Sequence, residues 1–119
     1  MKQTKTLLKK VCEAIESKQG DEVTILDVSQ ISSFTDFFVI CHGHNSRQNQ
    51  AICDEILERL KKEQHRSPTH VEGYQHADWI LMDYLDFVVH IFSPRTRQSY
   101  SLEKLWGDGV KVKPKALTA

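Results

Sequence analysis

Histidines and a glycine-serine step are the first candidates for chemistry in this chain of 119 residues. His42 and His44 flank Gly43 directly after an apolar segment, and a metal site there would need a third ligand from elsewhere in the chain. The sequence contains neither a Cys-x-x-Cys nor a His-Glu-x-x-His spacing. We therefore expect no bound metal and no cofactor, and we interpret most of the histidines as surface residues, with His90 partly buried.

Nucleotidyl transfer is the second chemistry that the residue types allow. Gly43 and Ser46, at a strand-to-helix turn, could cradle a phosphate, and Asp83 and Asp86 could hold magnesium. Two metal-binding carboxylates on one strand should lie two residues apart to point the same way, whereas these lie three apart. The step also lacks a lysine for phosphate, so we expect that Ser46 caps a helix, that Asp86 makes a turn, and that the protein is not an enzyme.

The charge distribution favours a protein partner over a nucleic acid. The formal net charge is zero, but residues 1–20 and residues 111–119 each carry +3, and residues 21–110 carry −6. A domain that grips phosphates normally has a basic body. We expect a basic protein surface as the main partner, with the basic ends adding at most weak contacts to phosphate.

Cysteine usage and hydropathy bear on the compartment. The cysteines Cys12, Cys41 and Cys53 are odd in number and widely spaced, which argues against a disulfide framework and for a reducing compartment. A thiolate at Cys41, inside an apolar segment, would be disfavoured, so nucleophilic catalysis is not indicated. No apolar run approaches the roughly 20 residues that span a bilayer, and no secretory signal is recognised. We expect a cytoplasmic protein without membrane contact.

Apolar periodicity predicts one α/β domain over residues 1–109 and a basic, flexible tail over residues 110–119. Leu7, Leu8, Val11, Ala14 and Ile15 recur at helical steps. Strands are predicted at residues 23–28, 37–41 and 70–74, with a helix between the last two that is capped by Asn45 or Ser46. With the later elements the order is α-β-β-α-β-β-β-α, which indicates a mixed, roughly five-stranded sheet with flanking helices.

The segment 79–92 predicts a β-hairpin with a two-residue loop, Leu85-Asp86. That loop length fixes the register, so that the numbers of facing residues sum to 171. One face carries Ile80, Met82, Tyr84, Phe87, Val89 and Ile91, and should meet the core. The other face carries Trp79, Leu81, Asp83, Val88, His90 and Phe92. This second face mixes apolar bulk with charge and suits solvent or a partner.

Four segments of the chain together resemble a known family. The first segment contains Asp36, residues 38–40 and the motif Gly43-x-x-Ser46-Arg47-Gln48. The second is Glu72-Gly73, which precedes Trp79, and the third combines residues 79–83 with residues 89–92. The fourth is Arg97-x-x-Tyr100-x-Leu102-Glu103-x-Leu105-Trp106. Their order and spacing are similar to those of the ribosomal silencing factor family, also called the Iojap family, over about residues 5–109. Where the family usually has glycine, this chain has Leu85, although leucine disfavours positive φ.

The resemblance implies a function and a fold. Family members bind the large ribosomal subunit through ribosomal protein number fourteen, on the face that meets the small subunit, and so block subunit joining and repress translation when nutrients are short. Organellar relatives act in ribosome assembly. The family fold has a nucleotidyltransferase-like topology without that catalysis being known. The alternatives that stay open are an assembly factor and, less favoured, a nucleotidyltransferase-like enzyme.

Aromatic residues near the hairpin indicate where a partner would dock. Trp, Tyr and Arg are enriched in interface hot spots, although buried aromatics are equally often core. We expect the docking site to comprise Trp79, Leu81, Asp83, His90, Tyr100, Leu102 and Trp106, with contact and core positions not separated among them. The oligomeric state is open and includes a homodimer.

Overall fold

The helices and strands follow the predicted order and add one strand. The computed structural model describes residues 2–100 and 110–112, with side chains described for residues 4–98. The elements in chain order are α1 (Lys2–Ser17), β1 (Asp21–Asp27), β2 (Phe37–His42), α2 (Ser46–Gln64), β3 (His70–Glu72), β4 (Trp79–Asp83), β5 (Phe87–Phe92), α3 (Pro94–Tyr100) and β6 (Val110–Val112).

Both long helices bury the apolar stripe that their periodicity predicts. In α1 the buried residues are Leu7, Leu8, Val11, Cys12, Ala14 and Ile15. Helix α2 begins after Asn45, whose side-chain oxygen accepts a hydrogen bond from the Gln48 backbone N–H at 2.8 Å. It ends at His65, which adopts the left-handed conformation at φ 54°. The two helices pack together on one face of the sheet and form the main core with it.

The strands form one mixed sheet in the order β3-β4-β5-β2-β1-β6. Strands β2 and β5 run parallel, and the other neighbours run antiparallel. The sixth strand is Val110–Val112, where Val112 pairs with Ile25 of β1. The first three residues of the predicted flexible tail therefore belong to the sheet, because the edge of β1 is available for pairing. Residues 113–119 of that prediction lie outside the described residues.

The hairpin of β4 and β5 has the predicted register. Trp79 pairs with Phe92, Leu81 with His90 and Asp83 with Val88. All six residues assigned to the core face are buried, as predicted: Ile80, Met82, Tyr84, Phe87, Val89 and Ile91. The opposite face carries a second apolar cluster, comprising Leu26, Val28, Phe38, Ile40, Val88 and Phe92, with Trp79 and Leu81 packed at its margin.

Leu85 occupies the strained position of the hairpin turn. Its φ is 74°, and the Asp86 backbone N–H donates to the Tyr84 carbonyl at 2.9 Å, which closes a γ-turn. The Leu85 N–H donates to Asp83 Oδ1 at 2.8 Å. The flanking strand pairing and these two bonds hold a leucine where glycine is favoured. Because the Leu85 side chain is 59% exposed, its burial offsets little of the backbone strain.

We predict that Leu85→Gly stabilises the protein. Removing the Cβ relieves a backbone cost of about 1–2 kcal/mol, against a glycine entropy cost of about 0.5–1 kcal/mol, so the net gain should be about 0.5–1 kcal/mol. Urea denaturation of wild type and variant measures the difference. Leu85→Ala is the control, since it keeps the Cβ and should show no gain. A loss of stability in Leu85→Gly would refute the strained turn.

Candidate docking site

Strand β4 presents three part-exposed side chains on one face of the sheet. Trp79, Leu81 and Asp83 alternate with the buried Ile80 and Met82, so they point away from the main core. We call Trp79, Leu81 and Asp83 the docking patch. It lies beside the three-residue edge strand β3, whose pairing with β4 covers Leu81 to Asp83 and stops short of Trp79.

Trp79 is held in place by His90. The indole Nε1–H donates to His90 Nδ1 at 3.0 Å across the hairpin. Accepting this bond requires an imidazole that is unprotonated at Nδ1, and therefore neutral. His90 itself is 4% exposed, so it lies beneath the docking patch and supports Trp79 instead of offering a contact surface. Among the residues predicted to form the docking site, His90 is therefore a positioning residue.

The surroundings of His90 keep it neutral. Phe38 lies edge-on to the imidazole with ring centroids 5.0 Å apart, and Phe92 stacks at 6.0 Å. Among the described residues, Nε2 is buried without a hydrogen-bond partner. Burial lowers the pKa of His90 to about 4 from its ordinary 6.5. A proton on this ring would be both desolvated and in conflict with the Trp79 bond.

A small hollow adjoins the docking patch. It has a volume of about 300 Å³ and is lined by Glu72, Gly73, Trp79 and Leu81. Gly73 has φ 78°, and a Cβ at that position would lie 2.0 Å from the Trp79 carbonyl oxygen. Glycine is therefore required for the β3–β4 connection to pass this close to Trp79. The hollow thus combines the side chains of Trp79 and Leu81 with the carboxylate of Glu72, which lies 2.8 Å from His70 Nε2.

Asp83 has a structural as well as a candidate binding role. Its Oδ1 accepts the Leu85 N–H, so the carboxyl also shapes the hairpin turn. A test of its charge should therefore include a substitution that keeps this acceptor. The position of Asp83 on its strand, and the face on which it lies, could be predicted from the sequence. Its bond to Leu85 could not be predicted, because that bond depends on the unusual φ of Leu85.

The C-terminal part of the predicted site is only partly described. Tyr100 ends α3, and its side chain is outside the described set, as are Leu102 and Trp106 altogether. Arg97, on the same helix, is 8% exposed and donates to Thr24 Oγ1 at 3.2 Å.

A second contact of Arg97 fixes the protonation of a neighbouring histidine. Its Nη1 lies 3.0 Å from His42 Nδ1. Burial and the adjacent Arg97 charge lower the pKa of His42, which leaves Nδ1 free to accept. The sequence motif that contains Arg97 did not reveal that this residue anchors α3 to β1 and β2.

The residues considered for phosphate and metal binding have structural roles. Gly43 is buried, and a Cβ there would lie 2.3 Å from Asn49 Oδ1, so side-chain packing explains this glycine. The His44 N–H already donates to Gln48 Oε1 at 2.8 Å. Asp86 lies 3.7 Å from Arg66 Nη2. Within the described ranges, no three His, Cys, Asp or Glu side chains come together as a metal site would need.

The three cysteine thiols are poorly suited to nucleophilic chemistry. Cys12, Cys41 and Cys53 are buried and unpaired, as predicted, and burial raises the pKa of each thiol to about 12. A thiol with such a pKa is a poor nucleophile. None of the described helices combines the length and apolar character needed to cross a bilayer. The fold is that of a single mixed α/β domain.

Comparison with known proteins identifies the family. A family model described as "Ribosomal silencing factor during starvation" matches residues 1–119, so the chain belongs to the ribosomal silencing factor family. Ribosomal silencing factor RsfS of Halalkalibacterium halodurans is 42% identical over 106 residues, covering 89% of this chain and 90% of that protein. This membership confirms the resemblance drawn from the sequence motifs and supports a role in translation regulation.

Two further similarities bear on fold and function. A crystal structure of a Chromobacterium violaceum protein superposes with a TM-score of 0.82 at 30% identity, covering 91% of this chain and 88% of that one. A mouse protein named mitochondrial assembly of ribosomal large subunit protein 1 is 31% identical over 94 residues, covering 77% of this chain and 41% of that protein. The mixed α/β fold is thus shared, and the relatives are named for work on ribosomes.

We predict that His90→Phe removes a large part of the acid sensitivity of the fold. Because the pKa of His90 falls to about 4 on folding, the unfolded chain binds a proton that the folded chain refuses between about pH 6.5 and pH 4. The stability that neutral His90 contributes is full above about pH 6.5 and is lost as the pH falls. Between about pH 7 and pH 4, wild type should lose about 3 kcal/mol more than the variant.

Urea denaturation at several pH values measures this difference. The comparison between the two ends of the pH range within each protein cancels the constant cost of losing the Trp79 hydrogen bond. If wild type and His90→Phe lose stability equally on acidification, His90 is not the buried neutral group described here.

Proposed function

We propose that the protein binds the large ribosomal subunit through the docking patch and prevents the small subunit from joining. The partner that we propose is ribosomal protein number fourteen, and the consequence is repression of translation when nutrients are short. Family membership supports a ribosomal silencing factor. The observation that carries the proposal for the site is Trp79, part-exposed and fixed by His90, between an apolar neighbour and a carboxylate.

The docking patch has the composition of an interface hot spot. Tryptophan contributes large contact area, and one that is already fixed in orientation loses little conformational entropy on binding. The hydrogen bond to His90 restrains the indole before any partner arrives. Leu81 extends the apolar contact, and Asp83 supplies a charge that a basic partner would complement. The patch therefore suits a protein surface with an apolar recess and a nearby cation.

Charge favours a protein over RNA as the main contact. The body of the chain, residues 21–110, carries a net −6. Such a body is repelled by phosphates and attracted by the basic proteins of a ribosome. The lysine-rich ends would add minor contacts to ribosomal RNA. We propose that the protein works on ribosomes in the cytoplasm without touching a membrane, as family membership suggests.

Steric exclusion requires no moving part and no catalysis. A rigid domain that sits on the joining face of the large subunit blocks the small subunit by occupying its place. The described residues around the patch are tied to one sheet by paired strands on both sides of β4. That rigidity suits a protein whose effect comes from its presence at one site.

A second candidate function is assembly of the large subunit without blockage of joining. The mouse relative is named for assembly of the ribosomal large subunit, which favours keeping this candidate. The two functions differ in one assay, which is light scattering of purified subunits as magnesium induces them to join. Silencing predicts less joining as the protein is added. An assembly role predicts unchanged joining with the protein still bound.

We predict that Asp83→Lys releases the protein from the large subunit. Reversing the charge places a cation against a basic partner, and affinity should fall at least tenfold. Asp83→Asn should fall less, about threefold to tenfold, because the amide oxygen still accepts the Leu85 N–H and only the charge is lost. Co-sedimentation with purified large subunits measures both.

The control is Glu58→Lys, an identical charge change on the exposed surface of α2. It removes a solvent-exposed pair with Lys62, which contributes about 0.3–0.5 kcal/mol, and should co-sediment as wild type does. Circular dichroism confirms folding of every variant. If Asp83→Lys sediments with large subunits as well as Glu58→Lys, the docking patch is not the contact.

A further inference from the structure

The loop that leads into Trp79 has a backbone conformation that most residues avoid. We call residues 73–78, between β3 and β4, the entry loop. It has a left-handed residue near each end, with φ 78° at Gly73 and φ 59° at Ala77. The Ala77 N–H donates to the Gly73 carbonyl at 2.9 Å, which closes the entry loop into a turn. A left-handed alanine is unfavourable because its Cβ crowds the backbone, so other contacts must hold Ala77 in place.

Helix α2 supplies a contact that holds Ala77. The Asn49 side chain donates from Nδ2 to the Ala77 carbonyl at 2.7 Å. Asn49 is 0% exposed and Ala77 is 1% exposed, so this hydrogen bond lies in the interior, where the low dielectric strengthens it. The bond therefore fixes the peptide group between Ala77 and Asp78 relative to the first turn of α2.

The bond to Ala77 explains why an asparagine occupies this buried position. Among the described residues, Asn49 Oδ1 is buried without a hydrogen-bond partner, which is unfavourable for a polar atom. Gly43 leaves room for that oxygen, since a Cβ there would lie 2.3 Å from it. An apolar side chain would avoid the unpaired oxygen but would have no donor for the Ala77 carbonyl. The favourable contribution of Asn49 is therefore its donor to the entry loop.

The two peptide groups that precede Trp79 are held by two different parts of the fold. The carbonyl of Ala77 is bound by α2, as described above. The next carbonyl, that of Asp78, accepts from the Ser93 N–H at 2.9 Å, just beyond the end of β5. A shift of the Ala77 peptide group would therefore move the backbone at Trp79, and with it the indole that donates to His90.

A second amide of α2 contacts the entry loop on its exposed side. Gln50 Nε2 donates to the Tyr74 carbonyl at 2.9 Å and lies 3.4 Å from the Gln75 carbonyl. The Tyr74 hydroxyl donates to the Asp54 carboxylate at 2.9 Å. Water can replace these exposed bonds when they are lost, and they contact the loop further from β4 than the buried bond does. They hold the loop against α2 without fixing the peptide group that enters β4.

From these contacts we infer that Asn49 is a positioning residue for the docking patch. Its one donor fixes the peptide group ahead of Trp79 and so determines where the indole lies before a partner arrives. An indole that is already in place loses less conformational freedom on binding. The inference rests on the proposed function in one respect, namely that Trp79 contacts the partner. The positioning itself is a property of the free protein and can be measured without a ribosome.

The test is an NMR measurement of water exchange at the Trp79 indole N–H in the free, ¹⁵N-labelled full chain. Trp79→Phe assigns the signal, since the chain has a second tryptophan, Trp106. In Asn49→Leu, which is similar in size and has no donor, exchange should be about fivefold faster or more, because the indole leaves His90 more often. Asn49→Ala, which cannot overpack beside its neighbours, should change exchange in the same direction.

Two variants elsewhere on α2 are the controls. Gln50→Met removes the exposed amide next to Asn49 and should change indole exchange by less than about twofold. Ile56→Val shortens a buried core residue of the same helix, so it should lower the stability of the whole fold and leave indole exchange unchanged. Thermal melts followed by circular dichroism confirm that every variant is folded and that Ile56→Val is destabilised.

Indole exchange as slow in Asn49→Leu and Asn49→Ala as in wild type would overturn this role of Asn49. Equal acceleration in Gln50→Met or Ile56→Val would overturn it too, since the effect would then not belong to the buried donor. Co-sedimentation with purified large subunits measures the consequence, an affinity about threefold to tenfold lower for Asn49→Leu. Faster exchange with unchanged affinity would support the positioning and contradict Trp79 as the contact, so the two proposals fail by different measurements.

Discussion

One hydrogen bond across the hairpin, from the Trp79 indole to His90, links the core of this protein to its candidate surface. It exists only while His90 is neutral, and the aromatic surroundings of His90 keep it so. The register of β4 and β5 places the two residues within reach. Burial of His90 thereby fixes the orientation of the Trp79 indole, which lies on the same face of the sheet.

The same hairpin carries the docking patch and the strained turn. Trp79 and Leu81 lie toward its open end, and Leu85 and Asp86 form its turn. A carboxylate, Asp83, lies between them and holds the turn through Leu85. A partner lying along β4 would meet apolar area first and acidic groups second. That arrangement suits a basic protein better than a nucleic acid.

Much of this fold could be predicted from local pattern. The stripe of Leu7, Val11 and Ile15 identified α1, and the two-residue loop fixed every pairing from Trp79 to Phe92. Both predictions work because helix and strand periodicities are properties of neighbouring residues. The prediction of function came from the motifs that resemble the ribosomal silencing factor family. Composition alone did not predict it.

Features that depend on distant contacts could not be predicted. Alternation placed His90 on the same face as Trp79 but could not give its depth, because that depends on Phe38 and Phe92 packing around it. Strand β6 was missed since three residues carry no periodicity and their pairing comes from β1. The anchoring role of Arg97 could not be predicted because its bond to Thr24 joins residues far apart in sequence.

The proposed function requires that the docking patch is covered when the protein is bound to the large subunit. Hydroxyl-radical footprinting with mass spectrometry, on the free protein and on its complex with purified large subunits, tests this directly. Oxidation of Trp79 should fall several-fold in the complex, while exposed His44 at the start of α2 stays reactive. If the protein is bound and Trp79 is oxidised as fast as in the free state, the docking patch is not the surface through which it acts.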